Sequence, residues 1–180
     1  MHHGTSMSEV VVELRQAFDA VFAAPREAPL AIPREFFLFR TGGHRYGFRL
    51  QELSGLANGR RVTRLPSSDA ALLGIAGMQG RIIPVFDLRP LLGLENGSKR
   101  PSWFVISRGV GQEVGLAFER MEGYAQVADG QEAATGAESP QRHVLESILW
   151  SGVPWSILSM VSMVAALQRR AGRPERHNQE

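Results

Sequence analysis

The chain has no cysteine and a single lysine among its 180 residues. Without cysteine it cannot form disulfides, use a thiolate nucleophile or build a cysteine-based metal site, which fits a reducing compartment. No apolar run approaches the ~20 residues of a membrane-spanning helix, and no secretory signal is visible. The net charge of +2 is too small to require a polyanionic partner. These absences favour a cytoplasmic protein and leave its function open.

The beginning and the end of the chain differ in composition from the middle. Residues 1–6 resemble the remnant of an expression tag, so their two histidines are not expected to be ligands. Residues 7–34 are predicted to form an amphipathic helix, from about Glu9 to Ala23, and a proline-rich linker. The main domain is expected to span residues 35–170, and residues 171–180 are expected to be a disordered tail.

From Phe36 onward, short apolar segments alternate with turn residues, and this pattern predicts a mainly β domain. The alternation is clearest in Arg45–Leu50, where Tyr46, Phe48 and Leu50 are expected to point inward. Further strands are predicted at Arg61–Leu65, Trp103–Ser107, Glu113–Phe118, Tyr124–Val127 and Pro154–Leu158.

The C-terminal third contains a predicted loop and a predicted helix. Residues Ala128–Gln141 lack large apolar side chains, which is typical of a mobile loop. A closing helix is predicted from about Met160 to Arg170, with Val161, Val164 and Leu167 on its apolar face.

The most informative stretch is Leu72–Arg89. Its Gly77 and Gly80 predict a tight hairpin turn between them, and the apolar run that follows predicts a strand buried on most sides. The apolar residues of that strand are Ile82, Ile83, Val85 and Phe86. Pro84 cannot donate a ladder hydrogen bond, so the strand is expected at a sheet edge or a bulge. Asp87 is expected to cap a short helical turn.

Two blocks of the sequence resemble the CheW family, adaptors that couple bacterial chemoreceptors to their histidine kinase. In the block Glu35–Leu50, the pair Tyr46-Gly47 lies where the family has an aromatic residue followed by glycine. In the block Leu72–Arg89, a glycine-rich hairpin precedes an apolar strand that contains Pro84 and ends in Asp87-Leu88-Arg89. The resemblance extends over most of the predicted main domain.

The resemblance implies two small SH3-like β-barrels packed together over a common apolar core, with N-terminal and C-terminal helices. It also implies an adaptor without catalytic activity or cofactor, which binds the regulatory domain of a CheA-type kinase and a methyl-accepting chemoreceptor. Such a protein would be recruited to receptor arrays without inserting into the membrane. The positions expected to bind partners are Leu53, Gly55, Val62, Arg64, Gln79 and Arg81.

Two of these positions depart from the family pattern. Gln79 stands where the family has arginine, and Gly55 where it often has glutamate, so charge-assisted contacts there are expected to be weakened or lost. The N-terminal helix, Arg81 and a late Pro154-Trp155 strand more closely resemble the CheW-like adaptors of type IV pilus chemosensory systems. Twitching motility and flagellar chemotaxis are therefore the two expected pathways.

Catalysis is the weaker interpretation of the sequence. Asp87 and Arg89 could act as a catalytic pair, but helix capping and an ion pair account for both without a substrate. The histidines His44, His143 and His177 have no partner at metal-ligand or triad spacing, so surface positions are expected for them.

Nucleic-acid binding by a small β-barrel is the alternative function. Small β-barrels bind nucleic acid through basic and aromatic surfaces, and several arginines lie near the aromatic hairpin: Arg45, Arg49, Arg60, Arg61 and Arg64. If the aromatic side chains are buried instead, these arginines form an ordinary solvated face. The sequence alone leaves this alternative open.

Overall fold

In the computed structural model of the chain, the described residues belong to one unit, Pro33–Glu180, and comprise 33–95, 100–108, 112–128 and 143–171. The predicted N-terminal helix and linker, nearly all of the predicted mobile loop and the predicted tail lie outside the described residues. The tag remnant and the domain limits therefore stay predictions.

Strands dominate the described part of the chain. The strands are β1 Arg34–Thr41, β2 His44–Arg49, β3 Leu53–Asn58, β4 Leu72–Met78, β5 Arg81–Asp87, β6 Trp103–Ser107, β7 Gly115–Phe118, β8 Arg120–Val127, β9 Val144–Trp150 and β10 Val153–Leu158. The helices are α1 Leu88–Leu92 and α2 Met160–Ala171, and a single 3-10 turn lies at Leu50–Glu52.

The strands form two five-stranded sheets, one nested within the other in sequence. The first sheet has the order β8-β1-β2-β10-β9, and the second has the order β3-β6-β7-β5-β4. Each sheet contains one parallel pair, β2 with β10 and β5 with β7, and its other pairs are antiparallel. The second sheet is thus built from the segment between the two halves of the first. The predicted mainly β, two-barrel architecture is confirmed.

Three apolar clusters form the core, and the largest of them explains why the two sheets pack as a pair. The largest is shared by both sheets and α2, and in it the rings of Phe39 and Phe48 stack with centroids 5.3 Å apart. The second cluster lies on the other face of the first sheet and includes Trp155 and Ile157. The third lies on the other face of the second sheet and includes Phe104. Each sheet therefore has buried side chains on both of its faces.

The aromatic hairpin β1–β2 confirms the predicted inward pattern. Tyr46 and Phe48 are buried, and Leu50 is half-buried against the shared cluster. The predicted strand Trp103–Ser107 is confirmed residue for residue, and β7, β8 and β10 overlap the other predicted strands, apart from the one at Arg61–Leu65.

The predicted strand at Arg61–Leu65 is wrong. Only Thr63 is paired, in an isolated bridge with Ile75. The arginines at positions 61 and 64 are exposed and Val62 is half-buried, so the segment has no apolar face with which to join a sheet. Conversely, β3 and β9 were not predicted, because serine and glycine interrupt one and a glutamate interrupts the other.

The structure corrects two expectations about β5. Ile82 is 72% exposed, because Ile83, Val85 and Asp87 point inward and leave the alternate positions on the outer face. Of the two predicted settings, an edge or a bulge, the edge is wrong, since the strand lies between β4 and β7. The register of β4 with β5 does shift between Leu72 and Gly74, opposite Phe86 and Val85. Pro84 is tolerated there because the ladder with β7 includes only Val85, Phe86 and Asp87.

The predicted closing helix is confirmed as α2, but Val161 does not lie on its buried face. Its buried face consists of Met160, Met163, Val164 and Leu167, at helical spacing, whereas Val161 is 51% exposed. Ser159 caps the helix, since its Oγ accepts a hydrogen bond from the backbone N–H of Ser162 at 3.1 Å.

Candidate partner-binding site

The turn between β4 and β5 consists of Gln79 and Gly80. Met78 pairs with Arg81, so the loop has two residues, and both have positive φ, 48° at Gln79 and 78° at Gly80. Two positive φ values are what a type I′ hairpin requires, and Asn-Gly is its preferred sequence. The predicted tight turn is confirmed, although it falls one residue later than expected. Gln79 is exposed and holds a backbone conformation that favours glycine or asparagine.

Ile82 forms an apolar projection next to this turn. Its cross-strand partner is Gly77, where an added Cβ would meet no atom within 4 Å. The next pair on the same face, Ile75 and Pro84, is half-buried. Ile82 therefore stands beside a gap that a partner's side chain could fill, an arrangement typical of an interface anchor.

Arg81 is held at the base of the same turn. Its Nη1 lies 2.7 Å from Glu113 Oε2, and its side chain is 61% exposed. An exposed ion pair contributes little to stability, but this one orients a guanidinium beside the turn. Because consecutive strand residues point to opposite faces, Arg81 leaves β5 on the face opposite to Ile82.

Val62 and Arg64 belong to a fixed surface segment, residues 59–65. Val62 packs against the third apolar cluster, whereas Arg64 is exposed. Thr63 and Ile75 exchange two backbone hydrogen bonds, of 2.8 and 2.9 Å, which tie the segment to β4. The structure thereby brings Val62 and Arg64 to the strand that leads into the Gln79 turn.

Leu53 and Gly55 lie on β3, at the opposite end of the second sheet's strand order from β4. Leu53 is buried in the shared cluster, so its side chain is not on the surface. Gly55 is half-buried, and a Cβ there would lie 3.1 Å from Ile106 Cδ1. The pairing order thus does not join these two residues to the hairpin that carries Gln79 and Arg81.

The residue that sequence reasoning missed is Ile82. Burial alternates along β5, with positions 83, 85 and 87 buried. The continuous apolar run after Gly80 gives no sign of this alternation. Placing the inward-pointing Asp87 in register with Ile83 and Val85 would have put Ile82 on the surface.

The residues considered for catalysis form a structural network. Asp87 caps α1 by accepting a hydrogen bond from the Arg89 backbone N–H at 3.0 Å, and Arg89 Nη2 lies 2.6 Å from Asp87 Oδ2. Glu119 lies 3.3 Å from Arg89 Nη1. The hydrogen bond to Asp87 raises the pKa of Arg89. Both Asp87 and Arg89 are buried, so they hold α1 against the sheets rather than face a substrate.

The histidines and acidic residues in the described ranges form no cluster of three that could hold a metal ion. His44 is exposed, and His143 Nδ1 lies 2.8 Å from Ser162 Oγ. No helix among the described residues is long and apolar enough to cross a membrane.

Comparison with known proteins identifies the family. Residues 35–168 match the CheW-like domain. The chain belongs to the CheW family. It is 26% identical over 83 residues to the chemotaxis protein CheW of Klebsiella aerogenes, an alignment that includes 46% of this chain and 50% of the relative.

A second relative and a solved structure agree with this assignment. The chemotaxis protein CheW of Thermotoga maritima is 29% identical over 70 residues, 39% of this chain and 46% of the relative. The chain thus spans about half the length of the curated relatives it matches. The scaffolding protein TtCheW from Thermoanaerobacter tengcongensis has the same fold, with a TM-score of 0.64 and 19% identity over 73% of this chain and 92% of that one.

Within this CheW-like protein, the two departures from the family pattern have different surroundings. Gln79 lies at an exposed tip, where an arginine would have room. Gly55 lies against Ile106, where a longer side chain would require that neighbour to move by a few tenths of an ångström.

Proposed function

We propose that this CheW-like protein is a non-catalytic adaptor that couples chemoreceptors to a CheA-type histidine kinase. The observation that carries the proposal is the family match over residues 35–168. Both curated relatives are chemotaxis proteins, and the similar solved structure is of a scaffolding protein. The proposed partners are the regulatory domain of the kinase and the cytoplasmic part of a methyl-accepting chemoreceptor, and the proposed location is a receptor array on the cytoplasmic side of the membrane.

The surface around the β4–β5 hairpin supports this role. An adaptor needs an apolar anchor, oriented polar groups around it and a rigid support. Ile82 supplies an exposed anchor and Gln79 supplies a hydrogen-bond donor at the adjoining turn. Arg81 supplies donors from the opposite face of β5, and two paired strands support all three residues. We propose that these residues, with Val62 and Arg64 on the adjoining segment, contact a partner, and that Leu53 and Gly55 contribute through the shape of β3.

The finer proposal concerns the pathway. The predicted N-terminal helix, Arg81 after the hairpin glycine and the Pro154-Trp155 strand support a type IV pilus chemosensory system. Genes for pilus retraction beside the coding gene would support twitching motility, and flagellar genes there would assign the protein to swimming chemotaxis instead.

Nucleic-acid binding is less well supported. Tyr46 and Phe48 are buried, so the rings of the arginine-flanked hairpin are not accessible for stacking on bases. The exposed arginines remain, and salt-sensitive binding of DNA or RNA is therefore an outcome to be tested.

A pull-down from the native organism tests the proposed function. The tagged protein, its Ile82→Asp variant and a matched Leu149→Asp variant serve as baits, because Ile82 and Leu149 are exposed aliphatic residues on different sheets. We expect mass spectrometry to identify a CheA-type kinase and a chemoreceptor with the wild-type and Leu149→Asp baits, and reduced kinase with Ile82→Asp. Absence of every kinase and chemoreceptor from the wild-type sample would overturn the proposal.

A further inference from the structure

Arg60, Arg61 and Arg64 form a dense group of exposed positive charges, called here the arginine segment. All three lie within five consecutive residues, and each is exposed. None of them takes part in the salt bridges of the described structure. The charge of this segment is therefore not neutralised by neighbouring carboxylates in the described residues.

Other arginines of the same domain are matched with acids. Glu146 binds Arg34 and Arg49 at 2.5 and 2.7 Å, and Glu122 lies 3.0 Å from Arg40. Arg81 of β5 and Arg89 of α1 are paired with acids as well. Arg45, Arg100, Arg108 and Arg169 are, like the arginine segment, outside the salt bridges of the described residues. What distinguishes the arginine segment is that three such arginines lie within five consecutive residues.

The segment is also held firmly in place. Val62 is anchored in the apolar cluster of the second sheet, and Thr63 is hydrogen-bonded in both directions to Ile75. Gly74 lets the two backbones approach closely, since a Cβ there would lie 2.0 Å from Thr63 O. A charged group on a fixed backbone loses less conformational entropy on binding than one on a mobile loop.

Exposed leucines flank the charges. Leu65 directly follows Arg64 and is 44% exposed, and Leu56, near the end of β3, is 40% exposed. A binding surface of this kind suits a partner that carries an apolar residue among carboxylates. It suits nucleic acid less well, because neither flanking residue is aromatic.

We propose that the arginine segment is a docking surface for an acidic patch, centred on an apolar residue, on the regulatory domain of the partner kinase. This inference rests on the proposed function and adds the chemistry of the contact. Positive charge on the segment accelerates encounter with the acidic patch and fixes its orientation, while Leu65 and Leu56 exclude water from the contact.

Charge reversal tests the proposal with the whole protein. The double variant Arg60→Glu/Arg61→Glu and the single variant Arg61→Glu are compared with the wild type and with Arg45→Glu. Arg45→Glu is the control for Arg61→Glu, because it reverses one exposed arginine on the first sheet. Binding to the purified kinase regulatory domain is measured by titration calorimetry at about 50 and about 200 mM salt, where screening of exposed charges differs. Thermal unfolding of each variant establishes that it is folded.

We expect the double variant to bind at least about tenfold more weakly at low salt, a difference of ~1.4 kcal/mol, and Arg45→Glu to bind like the wild type. Wild-type affinity should fall with salt, and that of the double variant should not. A compensating Glu→Lys change in the acidic patch of the kinase domain should restore binding to the double variant.

Other outcomes separate the two proposals. If the wild type binds neither kinase nor receptor, the adaptor function itself fails. If the wild type binds the kinase domain and the double variant binds equally well, the docking surface is wrong and the adaptor function stands. If the reversal weakens binding to a receptor fragment or to DNA, and not to the kinase domain, the acidic patch has been assigned to the wrong partner.

Discussion

Gly74 lies so close to the carbonyl group of Thr63 that a Cβ at position 74 would be 2.0 Å from the Thr63 oxygen. Gly74 also has a φ of 139°, which L side chains rarely adopt. The two backbones are joined one residue further along β4, where Ile75 and Thr63 exchange hydrogen bonds. This close approach positions the arginine segment against the second sheet.

Gly74→Ala is therefore expected to destabilise the protein by more than about 2 kcal/mol, because both the clash and the backbone conformation oppose a side chain. The measurement is denaturant unfolding followed by tryptophan fluorescence. Gly77→Ala is the control, since its Cβ would meet no atom within 4 Å. Equal stability of the two variants would show that the segment is not packed against β4 as described.

Substitutions at Gln79 are expected to separate stability from binding. Gln79→Arg keeps a side chain at φ 48° and should leave the melting temperature nearly unchanged. Because it restores the usual cation of the family, it should strengthen binding to a conventional CheA-type partner by about 1 to 2 kcal/mol. Gln79→Asn should instead stabilise the fold, since asparagine before glycine suits a type I′ turn.

Calorimetric titration and thermal unfolding of both Gln79 variants provide the check. A large loss of melting temperature in Gln79→Arg would contradict the exposed position of this side chain. Unchanged affinity in a folded Gln79→Arg would remove the hairpin tip from the partner contact.

Substitution by glutamine is expected to change the free energy of unfolding in opposite directions at Glu146 and at Glu52. Burial raises the pKa of Glu146, but hydrogen bonds and charges from Arg49 and Arg34 outweigh it, so the net pKa is lowered from about 4.5. Burial raises the pKa of Glu52 above the same value, against a hydrogen bond from the Met160 backbone and the charge of Arg49. Among the described residues, no group hydrogen-bonds to Glu52 Oε2.

The direction in which each glutamate changes stability with pH follows from proton linkage. Ionised Glu146 stabilises the fold above about pH 4.5, and this contribution is lost as the pH falls through its folded pKa. Glu146→Gln should therefore lower the free energy of unfolding by about 1 to 2 kcal/mol at pH 7. Glu52 stabilises the fold only below its ordinary pKa, and that contribution is lost as the pH rises through the raised folded value.

Glu52→Gln should consequently increase stability at pH 7. Unfolding measured at several pH values between about 3 and 7 checks both variants, and both differences from the wild type should shrink at the acidic end. Stabilisation by Glu146→Gln at pH 7, or destabilisation by Glu52→Gln, would contradict the described surroundings of that carboxylate.

The parts of the fold that could be predicted are those that leave a pattern within a short stretch of sequence. In β2, strict alternation identified Tyr46 and Phe48 as buried residues. In the hairpin, closely spaced glycines predicted the turn, and Asp87 was identified correctly as the cap of α1. Each of these features depends on residues close to one another in sequence.

The unpredicted features have different causes. β3 pairs with β6, which is distant in sequence, and its serine and glycine give no clear alternation. β9 pairs with the adjacent β10, but Glu146 interrupts its apolar pattern. Ile82 looked buried because its neighbours in sequence are apolar, whereas it lies on the face opposite to Ile83, Val85 and Asp87. Its cross-strand partner Gly77 has no side chain to cover it. The predicted strand Arg61–Leu65 was wrong because the segment pairs with a strand only through the isolated bridge of Thr63 with Ile75, which leaves no local pattern.

The central claim is that this CheW-like protein is an adaptor for a CheA-type kinase, and the most direct test is titration of the full chain with the regulatory domain of the kinase from the same organism. The account predicts saturable binding with a dissociation constant in the micromolar range, about −8 kcal/mol. Absence of saturable binding to every CheA-type kinase and chemoreceptor of that organism would contradict it.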